Sequence, residues 1–135
     1  MHIIDRGSGS PLVVIPGVQG RWEYLQPAID ALSQHFRVIT FSLSGERGSG
    51  TVFDAARGWD NYTQQIASAL DTLRLDGAAV CGVSFGGVVA VRFAAAFAAR
   101  CRALVLVSMN AASAFGAKQE GDEGLGARVL RALGP

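Results

Sequence analysis

The chain is short of the residues that several functional classes require. Its 135 residues include one lysine, Lys118, and its 12 basic and 11 acidic side chains leave a formal charge of +1. The remaining basic residues are arginines scattered along the chain. Nucleic acids and anionic membranes are bound by clustered Lys and Arg, so neither is an expected partner. Two cysteines, Cys81 and Cys101, are too few for a disulfide scaffold or a four-thiolate zinc site. Cys81 falls near the end of one expected strand, and Cys101 precedes the next parallel one. At roughly 3.3 Å per residue that offset exceeds disulfide reach, so both read as buried small hydrophobes. No metal or cofactor is implied. Met1 to Ser10 contains no apolar core of signal-peptide length. The longest apolar runs, such as Ala103 to Val107, are strand-sized and far below a membrane span. A soluble, cytoplasmic protein is expected.

What is present is apolar and periodic. Half the residues are hydrophobic and 17% are charged, which suits one compact domain with a buried core. Leu12 to Ile15, between Pro11 and Pro16, reads as a strand buried on both faces, and so does Arg37 to Phe41. Ala78 to Cys81 and Ala103 to Val107 are two more, and Ile3 and Ile4 form a short edge strand. Helical spacing lies between them. Trp22, Leu25, Ile29, Leu32 and Phe36 recur at steps of three and four, with Pro27 in the first turn. Trp59, Tyr62, Ile66, Leu70 and Leu73 do the same, and Asp76-Gly77 is expected to stop that helix. Phe85, Val88, Val89, Phe93, Ala96 and Phe97 line a third helical face. Strands alternating with helices predict an α/β fold with a mainly parallel, doubly wound sheet. The pattern ends after Met109. Residues 111–135 read as a linker or the start of a lid, with a Gly-rich acidic stretch from Gly116 to Gly126 and a short helix at Ala127 to Leu133.

One motif carries chemistry. Gly82-Val83-Ser84-Phe85-Gly86 is a G-x-S-x-G sequence placed where a buried strand ends and a helix begins. In that setting the turn is sharp enough to strain the serine backbone. Glycines two residues before and two after remove Cβ atoms that would collide, and Gly87 lets the helix pack closely. Ser84 is the expected nucleophile, lifted above the C-terminal edge of the sheet. Attack on a carbonyl builds negative charge on its oxygen, which backbone N–H groups must stabilise. Phe85 N–H, at the helix start, is one expected donor. Val18 N–H, in the loop Pro16-Gly17-Val18-Gln19-Gly20, is the other. A capping serine in an ordinary strand-to-helix turn is the competing reading. A nucleotide-binding loop at Gly45 to Gly50 is disfavoured, because it lacks the G-x-G-x-x-G order and no Walker lysine exists.

These segments resemble the α/β-hydrolase superfamily, in its branch of serine esterases, lipases, C–C hydrolases and cofactor-free haloperoxidases. Gly7-Ser8-Gly9-Ser10-Pro11-Leu12-Val13-Val14-Ile15-Pro16-Gly17 matches the family's opening pattern, with Pro16 where a histidine is usual. Phe41 to Ser49 resembles the segment after the next strand, with Ser42 in place of Asp and Ser44 in place of Arg, so an ion pair made there in relatives is absent. Gly82 to Gly87 is a full match to the nucleophile region. The resemblance spans about Ile3 to Asn110 and makes residues 1–110 the N-terminal part of such a core. It implies a serine hydrolase acting on a small-molecule ester or related acyl compound. A non-catalytic protein of the same fold that binds a small ligand is the alternative.

The family's triad runs in chain order Ser, then Asp or Glu, then His. Here His2 and His35 are the only histidines, and both precede Ser84. His35 is expected at the opposite edge of the sheet from the serine. Glu120, Asp122 and Glu123 are the only acidic residues after Ser84, and they read as solvated charges in the Gly-rich stretch. Glu46 follows a strand end and borders the expected pocket, but it precedes the serine and is not assigned the triad role. The expectation is a truncated, inactive fragment in which Ala103 to Val107 becomes an exposed, aggregation-prone edge.

Overall fold

The computed structural model describes residues 1–109. The expectations for residues 110–135, including the roles of Glu120, Asp122 and Glu123, lie outside the described residues.

Five strands form one sheet: β1 (Ile4–Arg6), β2 (Pro11–Ile15), β3 (Arg37–Thr40), β4 (Ala78–Val83) and β5 (Cys101–Val107). Their spatial order is β1-β3-β2-β4-β5. β2 pairs in parallel with β3 and β4, and β4 pairs in parallel with β5. β1 is the antiparallel edge beside β3, with Ile4 opposite Thr40. A bidentate ion pair from Arg37 of β3 to Asp5 of β1, at 2.7 and 3.0 Å, ties that short strand down.

Three helices connect the parallel strands: α1 (Gln26–Leu32), α2 (Asp60–Thr72) and α3 (Phe85–Ala96). Alternation along β2 decides which helix covers which face. Leu12 and Val14 pack with Val38 against Ile29 of α1. Val13 and Ile15 point the other way and pack with Ile39 and Val80 against Ile66 and Leu70 of α2 and Val89 and Phe93 of α3. The sheet is therefore doubly wound, as the strand and helix spacing predicts.

Local departures from the sequence expectation have identifiable causes. Trp22–Leu25 is a 3-10 turn, and the α-helix starts only at Gln26, with Pro27 in its first turn. Phe36 lies beyond that helix and is exposed. α2 does not stop at Asp76-Gly77. It ends at Thr72, and Arg74 adopts a left-handed φ of 55° while Leu75 N–H donates to Leu70 O at 2.8 Å. That 6→1 bond is a Schellman closure with arginine where glycine is usual. Gly77 serves packing instead: a Cβ there would stand 2.7 Å from Arg100 O. Ala96, expected on the buried face of α3, is exposed.

Cys101 opens β5 opposite Ala78, which lies three residues before Cys81 in β4. Both thiols are free, and burial raises the pKa of each above the ordinary thiol value. No helix among the described residues is long and apolar enough to cross a membrane.

Among the described residues β5 pairs on one side only. Val105 and Val107 are 47% and 41% exposed on the sheet face they share with Cys81 and Val83. This apolar edge is a template for strand addition. The 135-residue chain expressed alone is expected to self-associate, and Val105→Lys with Val107→Lys should reduce light scattering at equal concentration. A monodisperse monomer from the unsubstituted chain would contradict this.

Candidate active site

The chain passes from β2 to β3 on one side of the sheet, then returns past β2 to β4 on the other. At such a reversal the loops leaving the C-terminal ends of the two central strands diverge and open a crevice. Those loops are Pro16 to Gly20 after β2 and the turn at Ser84 after β4. They line one cleft of about 260 Å³, together with Arg21, Tyr24, Leu25 and Val83.

Ser84 stands at φ 51° and ψ −116°, between the last residue of β4 and the first of α3. A non-glycine residue held there stores roughly 1–3 kcal/mol, which surrounding contacts must offset. The contacts are on both sides. A Cβ on Gly82 would lie 2.3 Å from Gly86 O, and one on Gly86 would lie 2.4 Å from both Ile15 O and Pro16 O. The turn thus closes backbone on backbone, and α3 starts against the end of β2. Ser84 N–H donates to Val107 O at 2.8 Å, which ties the turn to β5, and Gly87 N–H donates to Ser84 O at 2.8 Å.

The serine side chain is exposed and makes no cap hydrogen bond to α3. This disfavours the capping reading, because a capping hydroxyl accepts from an amide of the first turn. Phe85 is the first residue of α3, where an N–H has no carbonyl partner within the helix. Val18 is 78% exposed at the second position of a β-turn closed by Gly20 N–H to Gly17 O at 2.8 Å. The i+1 amide of such a turn is not used in closing it. A Cβ on Gly17 would approach Ser84 Cβ to 3.7 Å, which measures how near the two loops run. Ser84 and Val18 thus line one crevice, and α3 begins at the next residue, Phe85.

The positions of the histidines separate. His35 follows α1 at the N-terminal end of β3, the edge opposite Ser84. His2 precedes antiparallel β1 and donates its N–H to Ser49 O, so it lies at the same edge as Ser84. Three strand spacings, about 14 Å, still separate β1 from β4. Among the described residues no group of three His, Cys, Asp or Glu side chains is placed to hold a metal ion.

Where relatives are expected to carry an ion pair, a neutral network stands instead. Gln65 of α2 accepts from Ser44 N–H and Ser44 Oγ–H at 3.0 Å and donates to Ser42 O at 2.8 Å. All three residues are buried, and each bond satisfies a group that would be costly to leave unpaired. Glu46, on the same loop, packs against Gly20, where an added Cβ would lie 2.6 Å from Glu46 Cγ. Its charge also helps raise the pKa of Tyr62, behind the larger effect of burial.

Motif reading missed an aromatic group beside the serine. Phe53, Trp59, Tyr62 and Phe85 line a second, open pocket of about 260 Å³. Trp59 and Tyr62 fit helical spacing and read as core, while Phe53 falls in an irregular loop. Three aromatic residues within ten positions was the available signal.

The chain belongs to the family described as the alpha/beta hydrolase fold, whose sequence pattern matches residues 10–125. It is 33% identical over 110 residues to a 2-hydroxy-6-oxo-2,4-heptadienoate hydrolase of Pseudomonas putida, covering 78% of this chain and 40% of that protein. It is 36% identical over 102 residues to a poly(3-hydroxyalkanoate) depolymerase of Ectopseudomonas oleovorans, covering 76% and 36%. Among solved structures, an epoxide hydrolase superposes with a TM-score of 0.75 at 27% identity, over 90% of this chain and 41% of that one. The chain therefore spans about two fifths of the length of these relatives.

The close approach at Gly86 generates a stability prediction. Gly86→Ala sets a methyl against two fixed carbonyls and should cost about 3 kcal/mol or more. Gly87→Ala first meets the flexible Met109 side chain, at 2.7 Å from Sδ, and should cost less than about 1 kcal/mol. Urea unfolding of the two variants measures the difference, and equal costs would contradict the packing described.

Proposed function

We propose that these residues carry the nucleophile and the oxyanion-binding groups of a serine hydrolase acting on a small-molecule ester or related acyl compound. The observation that carries the reading is Ser84: an exposed, uncapped hydroxyl at left-handed φ, in the crevice that Val18 lines. The hydrolase and depolymerase names of the relatives support a hydrolytic role.

In this reading Ser84 Oγ adds to the carbonyl carbon as its proton passes to a base. The carbonyl oxygen takes up the negative charge, and Val18 N–H and Phe85 N–H donate to it. Both donors are backbone groups fixed by a turn and a helix start, so they need little reorganisation as charge develops. The helix dipole of α3 favours the same anion. As the tetrahedral intermediate collapses, the base returns its proton to the departing alcohol or other leaving group, and the acyl group stays on Ser84 Oγ. Water, giving a proton to the same base, then releases it as the acid and restores the serine hydroxyl.

The reaction needs an imidazole base, and neither His2 nor His35 lies at Ser84. The 135-residue chain alone should therefore hydrolyse esters no faster than its Ser84→Ala variant. In the whole gene product, a fluorophosphonate should attach once, at Ser84. Ser84→Ala should take no label and lose ester hydrolysis by a factor on the order of 10⁴ or more. A folded, unlabelled Ser84 would overturn the enzymatic reading and favour a ligand-binding protein of the same fold.

A further inference from the structure

We propose that the pocket of Phe53, Gly58, Trp59, Tyr62 and Phe85 is a substrate subsite that takes an uncharged apolar group of aryl size or larger, attached beside the bond that is hydrolysed. The inference deepens the serine-hydrolase reading and rests on it for the word substrate; the binding itself is independent of Ser84 chemistry.

Three observations carry it. The first is composition: apart from the Gly58 backbone, the pocket is walled by aromatic side chains. It opens to solvent, and its volume of about 260 Å³ leaves room for a ring of benzene size against the aromatic walls. The second is position. Phe85 follows Ser84 directly and forms one wall of the pocket, so that wall is joined to the serine by a single peptide bond. Trp59, just before α2, and Tyr62, on α2, pack against Phe85 at the start of α3, so these aromatic walls are anchored to the residue that follows the serine.

The third is that the walls are held in place. Phe85 stacks on Trp59 at 5.5 Å and meets Tyr62 edge-on at 5.7 Å, and Tyr62 contacts Phe53 at 5.8 Å. The Phe53 wall belongs to a loop that buried Asn61 clamps: its amide donates to Asp54 O and Gly58 O, and its Oδ1 accepts from Asp54 N–H at 2.9 Å. Gly45, at φ 90°, permits Phe53 to come close, since a Cβ there would lie 3.0 Å from Phe53 Cβ. A wall fixed before binding loses little freedom when a ligand enters. A cation is a poorer occupant. Arg92 already lies over Trp59, 4.3 Å from the ring centroid, while Phe85 stacks on the same indole. The charge-binding face of the indole is taken.

The test uses the Ser84→Ala variant of the whole gene product, titrated with 4-phenyl-2-butanone, a neutral ketone that it cannot turn over. Trp59 reports occupancy; Trp22, the other tryptophan of these residues, packs against the α1 side of the sheet. Saturable quenching is expected, and it should vanish in Ser84→Ala/Trp59→Phe. The exposed ring of Phe53 can be changed with little risk to the fold. Phe53→Ala should weaken binding about tenfold, and Phe53→Glu should weaken it further. Charged 4-phenylbutylammonium should bind at least about tenfold more weakly than the ketone. Absence of saturable quenching, or equal affinity in Phe53→Glu, would overturn the subsite. Binding without fluorophosphonate labelling of Ser84 would leave the pocket standing and remove only the hydrolase reading.

Discussion

The structure depends on one backbone contact: the start of α3 lies against the end of β2. Gly86 faces the carbonyls of Ile15 and Pro16 at a distance that excludes any Cβ, and Gly82 faces Gly86 in the same way. This double approach forces the chain to reverse from strand to helix within one residue, and Ser84 is that residue. Its left-handed φ follows from the packing. The strain is offset by buried contacts around it, among them Ile15, Val80 and Val89 in the core beneath. The same contact brings the β2 loop beside the serine, so one constraint sets both the hydroxyl and the turn that carries Val18 N–H.

The layers on either side protect that contact without charge. The Ser42, Ser44 and Gln65 network joins the loop after β3 to α2 through neutral hydrogen bonds. A buried ion pair would carry a desolvation penalty that this network avoids, at the loss of long-range attraction. Charged pairs lie at the periphery, where Arg37 meets Asp5 and Arg6 meets Asp30, and there they contribute little beyond register.

Much of this was legible in the sequence, for a physical reason. β2, β3 and β4 are buried between helices, so their residues form continuous apolar runs, and the helices between them keep a 3–4 spacing. The Ser84 turn was legible because backbone-on-backbone packing demands glycine at fixed offsets. The end of α2 was not, because Arg74 takes a left-handed conformation that glycine usually marks. The exposure of Ala96 was hidden too, since an alanine fits either face of a helix. The aromatic pocket was hidden for a different reason. Phe53 reaches it through Gly45 and the Asn61 clamp, contacts between a loop and a helix that leave no periodic trace. Glu46 is legible as a pocket border, while its packing against Gly20 is visible only in the folded chain.

The central claim is that packing holds residue 84 in a conformation that a side chain resists. Comparing the unfolding free energies of Ser84→Gly and Ser84→Ala tests it directly, because neither variant keeps the hydroxyl and the two differ only in backbone freedom. Glycine normally destabilises a folded position relative to alanine by about 0.5–1 kcal/mol. At a strained left-handed position the order reverses, and Ser84→Gly should be the more stable by about 1 kcal/mol. An alanine variant as stable as the glycine variant, or more so, would show that no strain is held at the turn.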